Sequence, residues 1–230
     1  MIRPLVKICG LSTRETLDAA LGAGADMVGF VFFAPSPRHI DLTAARELGR
    51  QAEGRASKVA LTVDADDATL AGIVAALAPA ILQLHGRESP ARVRDIKRTF
   101  GLPVMKAVAV ETADDLRGVA NYSTVADYIL FDARAPKDAT RPGGLGRAFD
   151  WQILHGLDLP VPFLLSGGLD ADNVARAIDI TRPHGVDVSS GVEREPGVKD
   201  AAKIHAFVAA AHAAGATSPP TSRNPIASSA

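Results

Sequence analysis

The chain has 230 residues and a mass of 23.9 kDa, with 47% hydrophobic and 22% charged residues, a balance that excludes wholesale disorder. Lys and Arg number 25 against 26 Asp and Glu, so no global basic field exists to hold nucleic acid or an anionic membrane. A single cysteine excludes an intrachain disulfide and a cysteine-held structural zinc, and it fits a reducing, cytoplasmic compartment.

The start, MIRPLVKICG, lacks the apolar core and cleavage signature of a secretory signal. No apolar run reaches the roughly 18–20 residues of a membrane helix. From there the chain alternates short apolar runs with stretches of helical spacing. Run 5–9 precedes a helix over 13–24, in which Leu17, Ala20 and Leu21 share a face and Gly-Ala-Gly supplies the stop. Run 27–33 precedes 43–52, with Thr43 as cap candidate, and run 59–63 precedes 67–78. Run 81–84 leads into 89–100, where Ser89-Pro90 is a favoured cap and first-turn pair. Runs 104–108, 128–131, 162–165 and 186–189 lead to helices over 112–119, 150–157, 170–181 and 198–213, with Asp170 as the cap of the seventh.

Most of these runs are continuous rather than alternating, which marks strands buried on both faces, as in a parallel sheet covered by helices. About eight strand–helix units of about 25–30 residues each can close into a barrel and abolish the edge strands. The expected fold is therefore α/β, a single-domain (β/α)8 TIM barrel over residues 1–214. Residues 215–230, rich in Pro, Ser, Thr and Ala, read as a flexible tail. An open doubly wound sheet is the alternative, weakened by the absence of G-x-G-x-x-G after the first strand. Segment 133–147, with two Pro and three Gly, is long enough to be a functional lid.

Such barrels place their chemistry at the carboxyl ends of the strands, with phosphate held by the loops after strands seven and eight. Those loops read Ser166-Gly167-Gly168 and Ser189-Ser190-Gly191. They serve either as tight turns or as backbone N–H cradles for an anion. Cys9 ends the first strand ahead of a helix, where a thiolate is favoured; the other reading is a small buried hydrophobe. Lys7, on the same side of that strand, either supports the thiolate or fills the interior beside a carboxylate. Asp132 emerges from an apolar run as an ion-pair member or as a carboxyl able to donate a proton. Arg38 follows a stiff Pro-Ser-Pro and either forks onto a carboxylate or lies on the surface. His85 and Gln83 share a strand face; His85 either positions substrate or is structural. No histidines pair at metal-ligand spacing, so no metal is expected.

The stretches VKICG (6–10), GFVFFAPSPRHI (29–40), LQLHG (82–86), ILFDA (129–133), PGGLGRAFDW (142–151), LLSGGL (164–169) and GVDVSSGVEREPGVKD (185–200) together resemble the phosphoribosylanthranilate isomerases of tryptophan biosynthesis. The resemblance implies an intramolecular aldose–ketose isomerase. Its reaction is the Amadori rearrangement of N-(5-phosphoribosyl)anthranilate to 1-(2-carboxyphenylamino)-1-deoxyribulose 5-phosphate, without a cofactor. It implies Cys9 as general base and Asp132 as general acid, with Arg38 at the anthranilate end. Lys7, Gln83, His85, Gly143 and Gly144 are expected to bind substrate. Gly167, Gly168, Ser189, Ser190 and Gly191 are expected to hold its phosphate. The expected partner is a small phosphosugar, with no nucleic acid or membrane, in a monomer or homodimer. Three departures stand out: Leu145 in place of a small hydroxyl residue, Ser166 in place of a more usual Ala, and the acidic Asp64 and Asp66 after strand three. Another phosphate-binding barrel, or a non-catalytic phosphosugar binder, would share the two loops but has no need of Cys9 with Asp132.

Overall fold

The computed structural model describes residues 3–136, 142–144, 146 and 148–217, the side chains of 215–217 excepted. Eight parallel strands close into a barrel in sequence order: β1 (Leu5–Cys9), β2 (Met27–Phe32), β3 (Ser57–Thr62), β4 (Ile81–Leu84), β5 (Val104–Val110), β6 (Tyr128–Ala133), β7 (Phe163–Leu165) and β8 (Gly185–Val188). Closure falls between β1 and β8, with Leu5 opposite Gly185 and Ile8 opposite Val188.

The helices are α1 (Arg14–Ala23), α2 (Leu42–Ala52), α3 (Asp67–Leu77), α4 (Pro90–Phe100), α5 (Val119–Ser123), α6 (Val174–Thr181) and α7 (Ala201–Thr217). Thr13 and Ser89 cap α1 and α4 through their side chains, each satisfying a first-turn N–H. The cap of α2 is Asp41, which accepts from Ala44 N at 2.8 Å, so Thr43 lies inside the helix. Asp170 does not cap α6. It accepts from Asp172 and Asn173 N, both at 3.0 Å, closing a turn that delays the helix to Val174. Two expected helices are shorter. Residues Ala113–Gly118 and Trp151–Leu154 are 3-10 turns, the first continuing into α5. A small antiparallel pair, β9 (Glu193–Glu195) with β10 (Val198–Lys199), precedes α7. That helix runs to Thr217, past residue 214, and 218–230 lie outside the described residues. So does Leu145.

Alternation along each strand divides the core in two. Val6, Ile8, Val28, Phe30, Phe131 and Val186 point outward into one large cluster with the helices. Met27, Val59, Ile81, Met105, Leu130 and Leu164 fill the barrel interior. Above them the interior turns polar. Lys7, with no exposed surface, donates to Asp187 Oδ1 at 2.8 Å, and Ser166 Oγ donates to Asp187 Oδ2 at 3.2 Å. A buried pair is costly to break because the survivor stays charged and unpaired. Lys7→Met is therefore expected to destabilise the fold by about 3–5 kcal/mol. Lys7→Met with Asp187→Leu should recover most of that loss in urea unfolding. A double-variant loss equal to the sum of the Lys7→Met and Asp187→Leu losses would show that the pair is not coupled.

Candidate active site

The carboxyl ends of the strands surround one cavity of about 780 Å3, its open mouth included, within the size range of small-molecule sites. Cys9 from β1 and Asp132 from β6 both line it, as do Arg38, His85, Gly143, Gly144, Gly167, Gly168, Ser189 and Ser190. Among the described residues no group of His, Cys, Asp and Glu could hold a metal ion.

Cys9 is 3% exposed. Burial pushes its thiol above the ordinary range. The Lys7 ammonium opposes that shift, Asp187 reinforces it and Lys199 opposes it. The thiolate expected from a helix N-terminus is thus not the resting form, because α1 begins only at Arg14 and desolvation dominates. Lys7 is drawn down by burial, yet Asp187 and Cys9 carry it above its ordinary value, so the ammonium persists.

Asp132 Oδ1 accepts from Ala133 N at 2.9 Å, and Oδ2 lies 3.2 Å from His85 Nε2. Gln83 Nε2 lies 3.1 Å from His85 Nδ1. With Gln83 against Nδ1, the other ring nitrogen of His85, Nε2, is left facing Asp132. Gln83 is fully buried and does not line the cavity; its contact is with His85 rather than with a ligand. Lys7 likewise lies below the cavity floor. Both were expected to bind substrate, but their side chains are spent on β-strand neighbours.

Gly143 closes over this pair. A Cβ there would crowd Asp132 Oδ2 and stand 2.9 Å from His85 Nε2, so a side chain at 143 would fit only by shifting those two groups. Gly191 is also spent on packing, not on the cavity. A Cβ there would meet Leu169 O at 1.9 Å, so Gly191 lets the loop after β8 lie against the loop after β7. Gly168 and Ser190 remain on the cavity wall at those two loops.

Two groups of lining residues lie outside the sequence expectation. Val31 and Phe33 at the end of β2, with Leu61 and Val63 at the end of β3, form an apolar wall beside Cys9. Asp187 also reaches the cavity. The signal for the first was i, i+2 apolar spacing at two strand ends, and for the second a lone acid between Val186 and Val188. The acids after β3 have local uses. Asp66 caps α3 through Thr69 N at 2.8 Å, and Asp64 accepts from Arg87 N at 2.7 Å. Ser166 is no idle replacement, since its hydroxyl completes the shell of Asp187.

A family model described as N-(5'-phosphoribosyl)anthranilate (PRA) isomerase matches residues 6–210. The N-(5'-phosphoribosyl)anthranilate isomerase of Bradyrhizobium sp. (strain ORS 278) is 71% identical over 210 residues, covering 91% of this chain and 96% of that one. Among solved structures, the phosphoribosyl anthranilate isomerase of Thermotoga maritima superposes with a TM-score of 0.81 at 34% identity, over 90% of this chain and 98% of that chain. Another, a phosphoribosyl anthranilate isomerase in complex with reduced 1-(o-carboxyphenylamino)-1-deoxyribulose 5-phosphate, superposes with a TM-score of 0.76 at 32% identity, over 90% of this chain and 98% of that one.

Proposed function

The chain belongs to the N-(5'-phosphoribosyl)anthranilate isomerase family, and from that premise we propose how its cavity divides the work. The reaction is the Amadori rearrangement of N-(5'-phosphoribosyl)anthranilate to 1-(2-carboxyphenylamino)-1-deoxyribulose 5-phosphate in tryptophan biosynthesis.

The observation that carries the division is that Cys9 and Asp132 come from distant strands, β1 and β6, and open onto the same cavity. A carboxyl and a thiol on opposite walls can flank a ribose ring. Asp132 gives its proton to the ring oxygen, the bond from that oxygen to C1 breaks, and the nitrogen lone pair forms a C1 iminium. The iminium acidifies the C2–H, and the minor fraction of Cys9 that is thiolate takes that proton. The C2–H electron pair becomes the C1–C2 double bond and the nitrogen regains its pair. The resulting enolamine tautomerises to the ketone. Each transfer supplies a factor on the order of 10²–10⁴.

The substrate's two ends fit the two sides of the mouth. Main-chain N–H groups at Gly168 and Ser190 take the phosphate, in the position such barrels reserve for it. The Val31, Phe33, Leu61 and Val63 wall takes the aryl ring, and Arg38 takes its carboxylate as a charge-assisted pair. Because all of these groups belong to one chain, a monomer and a homodimer are both competent. The barrel carries the whole reaction without residues 215–230. A catalyst whose base is a free thiol belongs in a reducing compartment, which supports the cytoplasm as its place of action.

The direct test is turnover by the purified chain, followed by loss of substrate fluorescence. No turnover would remove the acid–base reading altogether. Arg38→Ala is expected to raise KM by roughly 10–100-fold with a smaller fall in kcat, the mark of a lost binding contact. An unchanged KM would place the substrate carboxylate elsewhere.

A further inference from the structure

Arg38 is 3% exposed, and its guanidinium is gripped from behind. Glu193 Oε1 accepts from Nε and Oε2 from Nη2, both at 2.7 Å. Nη2 also donates to Gly144 O at 3.1 Å. A guanidinium has five N–H donors in a fixed plane, so this grip determines which edge is left. That edge carries Nη1, which faces the lid and would stand 2.5 Å from a Cβ on Gly144. No hydrogen bond to Nη1 is present among the described residues.

Glu193 is held in turn. Lys199 Nζ donates to Glu193 Oε1 at 2.7 Å, to Ser189 O at 2.9 Å and to Ser189 Oγ at 3.2 Å. Ser189 Oγ donates to Cys9 O at 3.2 Å. Lys203 Nζ fixes the Glu193 carbonyl at 2.7 Å. Burial pushes the Glu193 carboxyl up, but Arg38 and Lys199 more than offset it and hold it below its ordinary value. The buried group thus holds two cations and one anion, and an arriving carboxylate completes its charge balance.

We infer that Glu193, braced by Lys199, sets the preference for a carboxylate-bearing substrate by fixing which edge of Arg38 faces the cavity. Glu193 does not itself line the cavity, so it is a positioning residue that acts through Arg38. The inference rests on Arg38 as the carboxylate seat.

The test compares kcat/KM for N-(5-phosphoribosyl)anthranilate with that for N-(5-phosphoribosyl)aniline, which lacks the carboxylate. Wild type should favour the anthranilate. In Glu193→Gln the ratio of the two values should fall by about tenfold, and in Lys199→Met by a smaller factor. Arg38→Ala combined with Glu193→Gln should lower the ratio no further than Arg38→Ala alone. A residue that only stabilises the fold would slow both substrates equally and leave the ratio intact, and that result overturns the inference. If Glu193→Gln does not fold, Glu193→Asp is read in its place: it keeps the charge but shortens the reach, so a lowered ratio supports the inference and a wild-type ratio overturns it. A wild-type ratio near one would remove the Arg38 seat itself and this inference with it, a failure distinguishable from loss of the Glu193 effect alone.

Discussion

Cys9→Ala is expected to lower kcat by about 10³-fold while KM changes little, because the C2–H loses its base but the phosphate and carboxylate seats remain. The measurement is steady-state loss of substrate fluorescence against a melting curve that confirms folding. The side chain sits between Gly29 and the apolar wall, so Ala leaves only a small space, and Sγ is within 3.0 Å of where a Gly29 Cβ would stand. Wild-type kcat in Cys9→Ala would remove the thiol from the mechanism. The residual rate should also lose its dependence on thiol ionisation.

Asp132→Asn is expected to lose a comparable factor, on the order of 10²–10⁴ in kcat, since an amide cannot supply the proton that opens the ring. Asn keeps the shape and one acceptor for Ala133 N, so binding should survive. The sharper readout is pH. With Asp132 gone, only the thiolate fraction of Cys9 limits the rate. Burial has raised that thiol above its ordinary range, so kcat/KM of the variant should climb by about tenfold per pH unit through neutrality and level off only above the pH at which an ordinary thiol ionises. A variant profile that stays flat through neutrality would mean that the Cys9 thiolate does not limit the rate.

Much of this architecture was legible in the sequence, for a physical reason. Strands covered on both faces are mostly apolar, so β2 shows as an unbroken run and β1, β4 and β6 as runs each broken by one polar residue, Lys7, Gln83 and Asp132, and every barrel strand lies within a few residues of its run. The two helices that shrank have visible causes in hindsight. TADDLRGV carries three polar residues at its start and Gly118 near its end. DWQILHGL is cut by Gly156, whose φ is +70°, and each supports only a 3-10 turn before α5 or β7. At the site, residues that end a strand could be found by the barrel rule: Cys9, Arg38, His85, Asp132, Gly168 and Ser190. What could not be read was which neighbours are consumed by one another. Lys7 is paired with Asp187, Gln83 with His85, and Gly191 packs one loop on another. The Lys7–Asp187 pair joins residues 180 apart in the chain, whereas Gln83 and His85 are only two apart and their mutual contact was hidden by their both facing the barrel interior. Glu193 and Lys199 were invisible for a further reason: they belong to the β9–β10 pair, beyond the last barrel strand, where no rule about strand ends applies.

Closure between β1 and β8 has a consequence for the making of the protein. Cys9 and Lys7 each precede by 180 residues the partner that holds them: Ser189 Oγ donates to the Cys9 carbonyl, and Asp187 neutralises Lys7. A nascent chain stopped before these partners emerge carries a thiol with no pocket around it and a lysine with no counter-ion. The barrel and the surroundings of Cys9 are therefore complete only once β8 is in place, and a chain ending before it should show no turnover.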